Sequence, residues 1–295
     1  MIFYYFGGVF NDKNSLETAS SLDKHHFSGV LFTYDATQGD MFVRTARDIN
    51  PEEKIKYLIA VRPYTISPQY LYSINESMDE IVSDRLQINV VPGYIKDHEK
   101  DLGGIVGEVN DLSHSIEKSK YAIEFIKTLS DISKNKDKKL DVYISTTNSY
   151  VFDESKKQGN KVIMPYHIYK RGFWSDVYKD SSLMVDLERD GVEIMLTMTP
   201  IIRKNEEELS LLQNYALRPI WKKGETSKVI DDVEYFTHES FSEFIDMIEK
   251  DGINHIMLNA IPREEVNVII PFIKEYIESR SDFVGQMADK EINIL

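Results

Sequence analysis

The five residues Ser145-Thr146-Thr147-Asn148-Ser149 carry a hydroxyl or an amide at every position. They follow an apolar run and lead into a helical stretch. Hydroxyls and backbone N–H groups at a helix start suit an anion, because the dipole and the unsatisfied N–H groups both point at it. An ordinary N-cap cluster has the same composition. Asn89 interrupts the apolar run 86–91, where its amide must find a partner or carry a desolvation cost of about 2 kcal/mol or more. It either lines the face of a ligand or bonds a neighbouring strand end. His167 closes another apolar run and is the general acid/base candidate, since an imidazole titrates near neutral pH; a hydrogen-bonded or surface histidine is the plainer reading. Arg62, just past residues 57–61, either meets an anion or pairs with a carboxylate such as Asp79 or Glu80. Histidines and carboxylates at metal-site spacing are absent from the sequence, as are Walker and Gly-x-Gly-x-x-Gly loops.

The elements that must position these groups alternate. Apolar runs at 2–6, 29–33, 57–61, 86–91, 141–144, 161–166, 192–199 and 255–258 read as buried strands. Helical patterns stand between them. Ser67-Pro68 supplies a cap and a first-turn proline for a helix whose apolar face is Leu71, Ile74, Met78 and Ile81. Residues 41–46 form another helix, ending before Asn50-Pro51. Further apolar faces are Ala122, Phe125, Ile126, Leu129 and Ile132; Phe241, Phe244, Ile245 and Ile248; and Val266, Ile269, Ile270, Ile273 and Ile277. Asn14 with Glu17, and Ser240 with Glu243, have capping-box spacing. A closed (β/α)₈ barrel and an open doubly wound sheet share this alternation. In a barrel the active site lies at the C-terminal ends of the strands, where all the residues above fall. Residues 1–295 read as one domain, with 203–236 as a polar, irregular loop.

The chain has 295 residues, 42% hydrophobic and 28% charged, with a formal net charge of −14. That charge argues against nucleic acid or an anionic membrane as a broad partner. Without cysteine there is no disulfide, thiolate nucleophile or Cys-bound metal. Neither a leader nor a membrane-length apolar run is recognisable, which gives a soluble cytoplasmic expectation.

The stretch Arg62-Pro63, Ser67-Pro68, Met78-Asp79-Glu80-Ile81-Val82-Ser83-Asp84-Arg85 and Leu86-Gln87-Ile88-Asn89-Val90-Val91-Pro92-Gly93 resembles the third and fourth strands of the bacterial luciferase-like flavin monooxygenases, and among them the alkanesulfonate branch most. The resemblance implies a single (β/α)₈ TIM barrel of luciferase-like type. It implies reduced FMN from a separate flavin reductase, reacting with O₂ to a C4a-peroxide that oxygenates a small organic substrate. Flavin would be held by Thr33, Tyr34, Asn89, Val91, Ser145, Thr146, Thr147 and Asn148. His167, Tyr166 and Arg62 would face substrate, and Arg218, Trp221 and Lys222 would belong to a lid at 203–236. A homodimer through the helices nearest strands two and three is also implied. Several positions depart from the pattern. Pro92 replaces a hydroxyl residue or arginine, no cysteine stands near Gln38 although Asp40 is kept, Thr197 and Thr199 replace an arginine and a histidine, and Asp84 replaces the glycine before Arg85. Two alternatives therefore stand beside the oxygenase: a non-catalytic flavin-binding protein, and an oxidoreductase using the deazaflavin F420.

Overall fold

A computed structural model describes residues 1–8, 22, 26–33, 39–50, 52–82, 84–92, 115–136, 140–146, 149–171, 192–215, 233–260 and 265–292. The strands are β1 (Ile2–Gly8), β2 (Gly29–Phe32), β3 (Lys56–Val61), β4 (Leu86–Val90), β5 (Val142–Ser145), β6 (Lys161–Pro165), β7 (Ile194–Arg203), β8 (Val233–Thr237) and β9 (His255–Leu258). Every pairing is parallel, in the order β6-β5-β4-β3-β2-β1-β9-β7, and β6 pairs with β7 to close the ring. Eight strands thus form a closed barrel, settling the choice against an open sheet. The described residues hold one strand more than expected. β8 pairs with β7 at Thr199–Arg203, beyond the section that β9 covers.

The helices are α1 (Met41–Asp48), α2 (Pro68–Val82), α3 (Ser115–Asn135), α4 (Ser149–Gln158), α5 (Tyr166–Arg171), α6 (Glu206–Tyr215), α7 (His238–Lys250) and α8 (Val266–Ile292). Asp40 caps α1 by accepting from the Val43 N–H at 3.0 Å. Ser67 caps α2 by accepting from the Tyr70 N–H at 3.2 Å. On α2, Leu71 and Met78 are buried, but Ile81 is 47% exposed, so the expected apolar face stops short of it. The capping box of α7 is Thr237 with Ser240, one turn earlier than the expected Ser240 with Glu243. Within 203–236 the structure has α6 and β8, so that segment is not one irregular loop. The other expected box, at Asn14 and Glu17, lies outside the described residues.

Parity along the strands separates two cores. Outward residues such as Ile59, Ile88, Val90, Ile144 and Met164 pack under the helices. Inward residues Tyr4, Leu31, Leu58, Ala60, Tyr143, Ile163, Met195 and Met257 fill the barrel axis. Gly29 faces that axis, and a Cβ there would lie 2.3 Å from Cε1 of Tyr4. Gly29→Ala is therefore expected to push the Tyr4 ring out of place and to destabilise the fold by about 1–3 kcal/mol, the usual range for overpacking. A thermal melt checks this, and an unchanged midpoint would show that Tyr4 has room to move.

Candidate functional site

Because all barrel strands are parallel, their C-terminal ends make one rim. Asn89 sits on the inner face of β4, 2% exposed. The hydroxyl of Ser145, at the end of β5, donates to its Oδ1 at 2.9 Å. That bond fixes the amide and leaves the Nδ2 group of Asn89 with no partner among the described residues. A buried amide with two free N–H donors, facing the axis of a barrel mouth, is an arrangement that a ligand carbonyl or ring nitrogen would satisfy. Val91 packs against the inner core and donates its N–H to the Val61 carbonyl at 2.9 Å. Thr146 is buried, with its N–H on the Ile163 carbonyl at 2.9 Å. It leads directly toward the start of α4, so a helix N-terminus does follow β5. Thr33 is half-buried just past β2. Tyr34, Thr147, Asn148, Arg218, Trp221 and Lys222 lie outside the described residues.

Arg62 and His167 are both half-buried, immediately past β3 and in the first turn of α5. Asp79 and Glu80 cannot be the partners of Arg62. They sit in the last turn of α2, at the opposite end of the barrel, where Asp79 accepts from the Asp84 N–H at 3.0 Å. Arg85 serves that lower end too. It donates to the carbonyls of Asn50 (3.1 Å) and Glu53 (2.6 Å) and covers the Tyr57 ring. Tyr166 points away from the axis. Its ring meets Phe244 edge-on at 5.0 Å and stacks on Tyr169 at 6.0 Å, in the outer layer. Burial, with Glu234 nearby, raises its hydroxyl above the usual tyrosine range.

Two features were missed by sequence reasoning. The first is a rim pair: Asn259, just past β9, donates from Nδ2 to Oγ1 of Thr199 on β7 at 3.4 Å. The second is a polar network inside the lower end of the barrel. Tyr4 donates to Gln87 (3.0 Å), and Gln87 donates to Asp141 (2.5 Å). Lys161 bridges Asp141 (2.8 Å) and Glu193 (3.2 Å), and Tyr143 donates to Glu193 (2.8 Å). His255 Nδ1 lies 3.5 Å from the same carboxylate. Gln87, a polar residue in an apolar run like Asn89, was the one legible signal for it.

The network sets a pH dependence. Burial opposes ionisation of Asp141, but hydrogen bonds from Lys161 and Gln87 outweigh it and hold the carboxyl below its ordinary range. Burial, reinforced by Lys161 and opposed by Glu193, lowers the His255 imidazole. Both groups bind protons less readily folded than unfolded, so stability falls as pH drops below 6.5, the ordinary histidine value. Lys161 is raised: burial alone would lower it, and its bonds to Asp141 and Glu193 win. Burial also raises Tyr4 and Tyr143, with acidic neighbours adding to it. These groups hold their protons longer folded than unfolded, so stability falls again above about pH 10. Denaturant midpoints measured across pH should show a plateau between those limits. A single maximum at acid pH would contradict the network's role.

No protein-family model matches the chain. Solved structures do resemble it over nearly its whole length. The EDTA monooxygenase of Chelativorans sp. aligns with TM-score 0.68 at 11% identity, over 95% of this chain and 94% of that one. An F420-dependent secondary alcohol dehydrogenase, solved with an F420–acetone adduct, aligns with TM-score 0.64 at 14% identity, over 93% and 97%. The oxygenating constituent of 3,6-diketocamphane monooxygenase from Pseudomonas putida, in complex with FMN, aligns with TM-score 0.58 at 10% identity, over 93% and 96%. At these identities the likeness shows the luciferase-like barrel fold. Among the described residues no helix is long and apolar enough to cross a membrane, and no group of side chains could hold a metal ion.

Proposed function

We propose that this chain is a flavin-type oxidoreductase of the luciferase-like family, acting on a small organic substrate at the C-terminal rim of its barrel. The observation that carries this reading is the Asn89–Ser145 pair, which holds a buried amide at the barrel mouth with no partner for its Nδ2 among the described residues. Its support is structural likeness to proteins solved with FMN or an F420 adduct. Reduced FMN, delivered by a separate reductase, is the cofactor favoured by the resemblance across residues 57–93. It would supply the reaction with O₂ that inserts one oxygen into the substrate.

The chain's own part is positional. Asn89 would donate to the ring, with Ser145 holding the amide in that orientation. Thr33, Tyr34 and Val91 would border the ring. Thr146, Thr147 and Asn148, with the start of α4, would meet the phosphate. His167 would move a proton at its imidazole, and Arg62 would orient a polar substrate edge. Tyr166 would fix α5 through its aromatic packing, and the segment 203–236, with Arg218, Trp221 and Lys222, would exclude water. F420 is the second reading; Pro92 supplies neither a hydroxyl nor an N–H, so the phosphate of either cofactor would depend on the β5–α4 end instead. Fluorescence titration of the purified chain with reduced FMN, oxidised FMN and F420 tests this. Failure to bind any of them would end the proposal.

A homodimer is proposed through α1 and α2. Val43 (68% exposed), Tyr70 (62%) and Ile81 (47%) surround a groove of about 770 Å³ that Phe42, Ala46 and Ile74 also line. Exposed apolar side chains gathered in one place suit a partner surface, and a self-complementary one closes by two-fold symmetry. Light scattering should report a dimer, and Tyr70→Asp should shift it to monomer. A wild-type monomer at tens of micromolar would refute the interface.

A further inference from the structure

The strand outside the eight-stranded ring adds a side chain to the mouth. β6 last pairs with β7 at Pro165 and Thr197, and β8 first pairs with it at Val233 and Thr199. Phe236 of β8 and Tyr166, the residue after β6, both meet the Phe244 ring, at 5.3 and 5.0 Å. β8 therefore continues the wall upward where β6 leaves it. Successive strand residues face opposite ways, and on β8 the outward set is marked by its contacts. Phe236 packs on Phe241 and Phe244 of α7, in the outer layer, so Tyr235 faces the axis side. Counting along β7 agrees. Met195 faces the axis, so Thr197, Thr199 and Ile201 do too, and Ile201 is the register partner of Tyr235. Ile201 is fully buried, yet Tyr235 is 38% exposed. An aromatic side chain open to solvent thus stands on the inner side of the wall, one step above Thr199. In the ring β5 lies between β6 and β4, so Tyr235 and Asn89 stand on either side of the end of β5, where Ser145 holds the amide.

We propose that Tyr235 is a cofactor-binding residue, its ring packing on the planar tricyclic system of a flavin or deazaflavin whose edge is bonded at Asn89. This rests on the reading of the rim as a flavin-type site. A planar ring bonded at its edge still has faces to bury, and an aromatic side chain covers such a face with a large apolar area at low conformational cost. The polar tip of tyrosine also tolerates water before a ligand arrives.

Hydroxyl-radical footprinting read by mass spectrometry tests this on the full wild-type chain, alone and with FMN, F420 or riboflavin, which keeps the ring without the phosphate. Labelling of Tyr235 should fall severalfold at saturation. Tyr70, on α2 and 62% exposed, should keep its labelling and so normalise the radical dose. Tyr235→Ser should weaken binding about 5- to 100-fold, the range for a planar base stacked on an aromatic side chain. Tyr235→Phe keeps the ring and should restore most of the affinity; a circular-dichroism melt checks that both variants fold. Riboflavin should suffer the same loss as FMN. A loss confined to FMN would place the contact at the phosphate and overturn the proposal. So would a folded Tyr235→Ser chain of wild-type affinity. Tyr235 still labelled in the loaded wild-type chain strikes this proposal alone, whereas a wild-type chain that binds none of these ligands strikes the functional reading and this proposal with it.

Discussion

Lys161→Met is expected to lower stability by about 3 kcal/mol, with the melting midpoint falling by roughly 6 °C. Lys161 is the cation that both Asp141 and Glu193 share inside the lower barrel. Its ammonium also lies 5.0 Å from the centre of the Tyr143 ring. Methionine keeps the volume of the stem but leaves two carboxylates facing each other without the ammonium they share, with only the weaker field of Lys56 acting on Asp141. Removing one partner of a buried ion pair is more harmful than never having had the pair, because the other charge stays desolvated. The side chains here are about one-quarter to one-third exposed, so solvent screening keeps the loss near the lower end of the buried range. Lys161→Arg should recover part of the stability. Equal midpoints for wild type and Lys161→Met would mean that water, not the lysine, screens those acids.

Asn89→Leu is expected to weaken cofactor binding about 10- to 100-fold, the range for losing one or two buried hydrogen bonds to a ligand. The substitution preserves size on an inward strand position, so the barrel should persist. Ser145 loses its acceptor, but its hydroxyl is half-buried at the strand end and can turn to water. Ser145→Ala should have a smaller effect, because it removes only the bond that orients the amide. Dissociation constants by fluorescence, paired with a circular-dichroism melt, separate binding from folding. Unchanged affinity in a folded Asn89→Leu chain would remove this residue from the site.

Much of the barrel could be read from apolar runs, since strands covered on both faces lack the alternation that confuses other sheets. Residues 255–258 came out with the right bounds, and Asn89 was conspicuous as an amide in a hydrophobic strand. Parity at strand ends was harder. The run 161–166 places Tyr166 beside His167 in sequence, yet the strand ends at Pro165 and the ring turns outward. The lower network was hidden because Lys56, Asp141, Lys161, Glu193 and His255 stand at or just before the first residue of their strands. In one dimension they look like polar boundaries, and only the ring's closure brings them together. β8 was obscured by its acid, Glu234. The start of α6 does carry a signal: Asn205 caps it, accepting from the Glu208 N–H at 3.0 Å, and Glu206, Glu207 and Glu208 follow. Its many polar side chains disguise that helix as loop. The lid residues Arg218, Trp221 and Lys222 lie outside the described residues, as do Tyr34, Thr147 and Asn148.

The filled axis of the barrel has a kinetic corollary. Leu58, Met195 and Met257 are sealed from solvent midway down, above the ionic layer. Among the described residues the axis therefore offers no second exit, and of two ligands stacked in the mouth the deeper one would arrive first and depart last. Steady-state patterns for any two-ligand reaction here should accordingly be ordered rather than random.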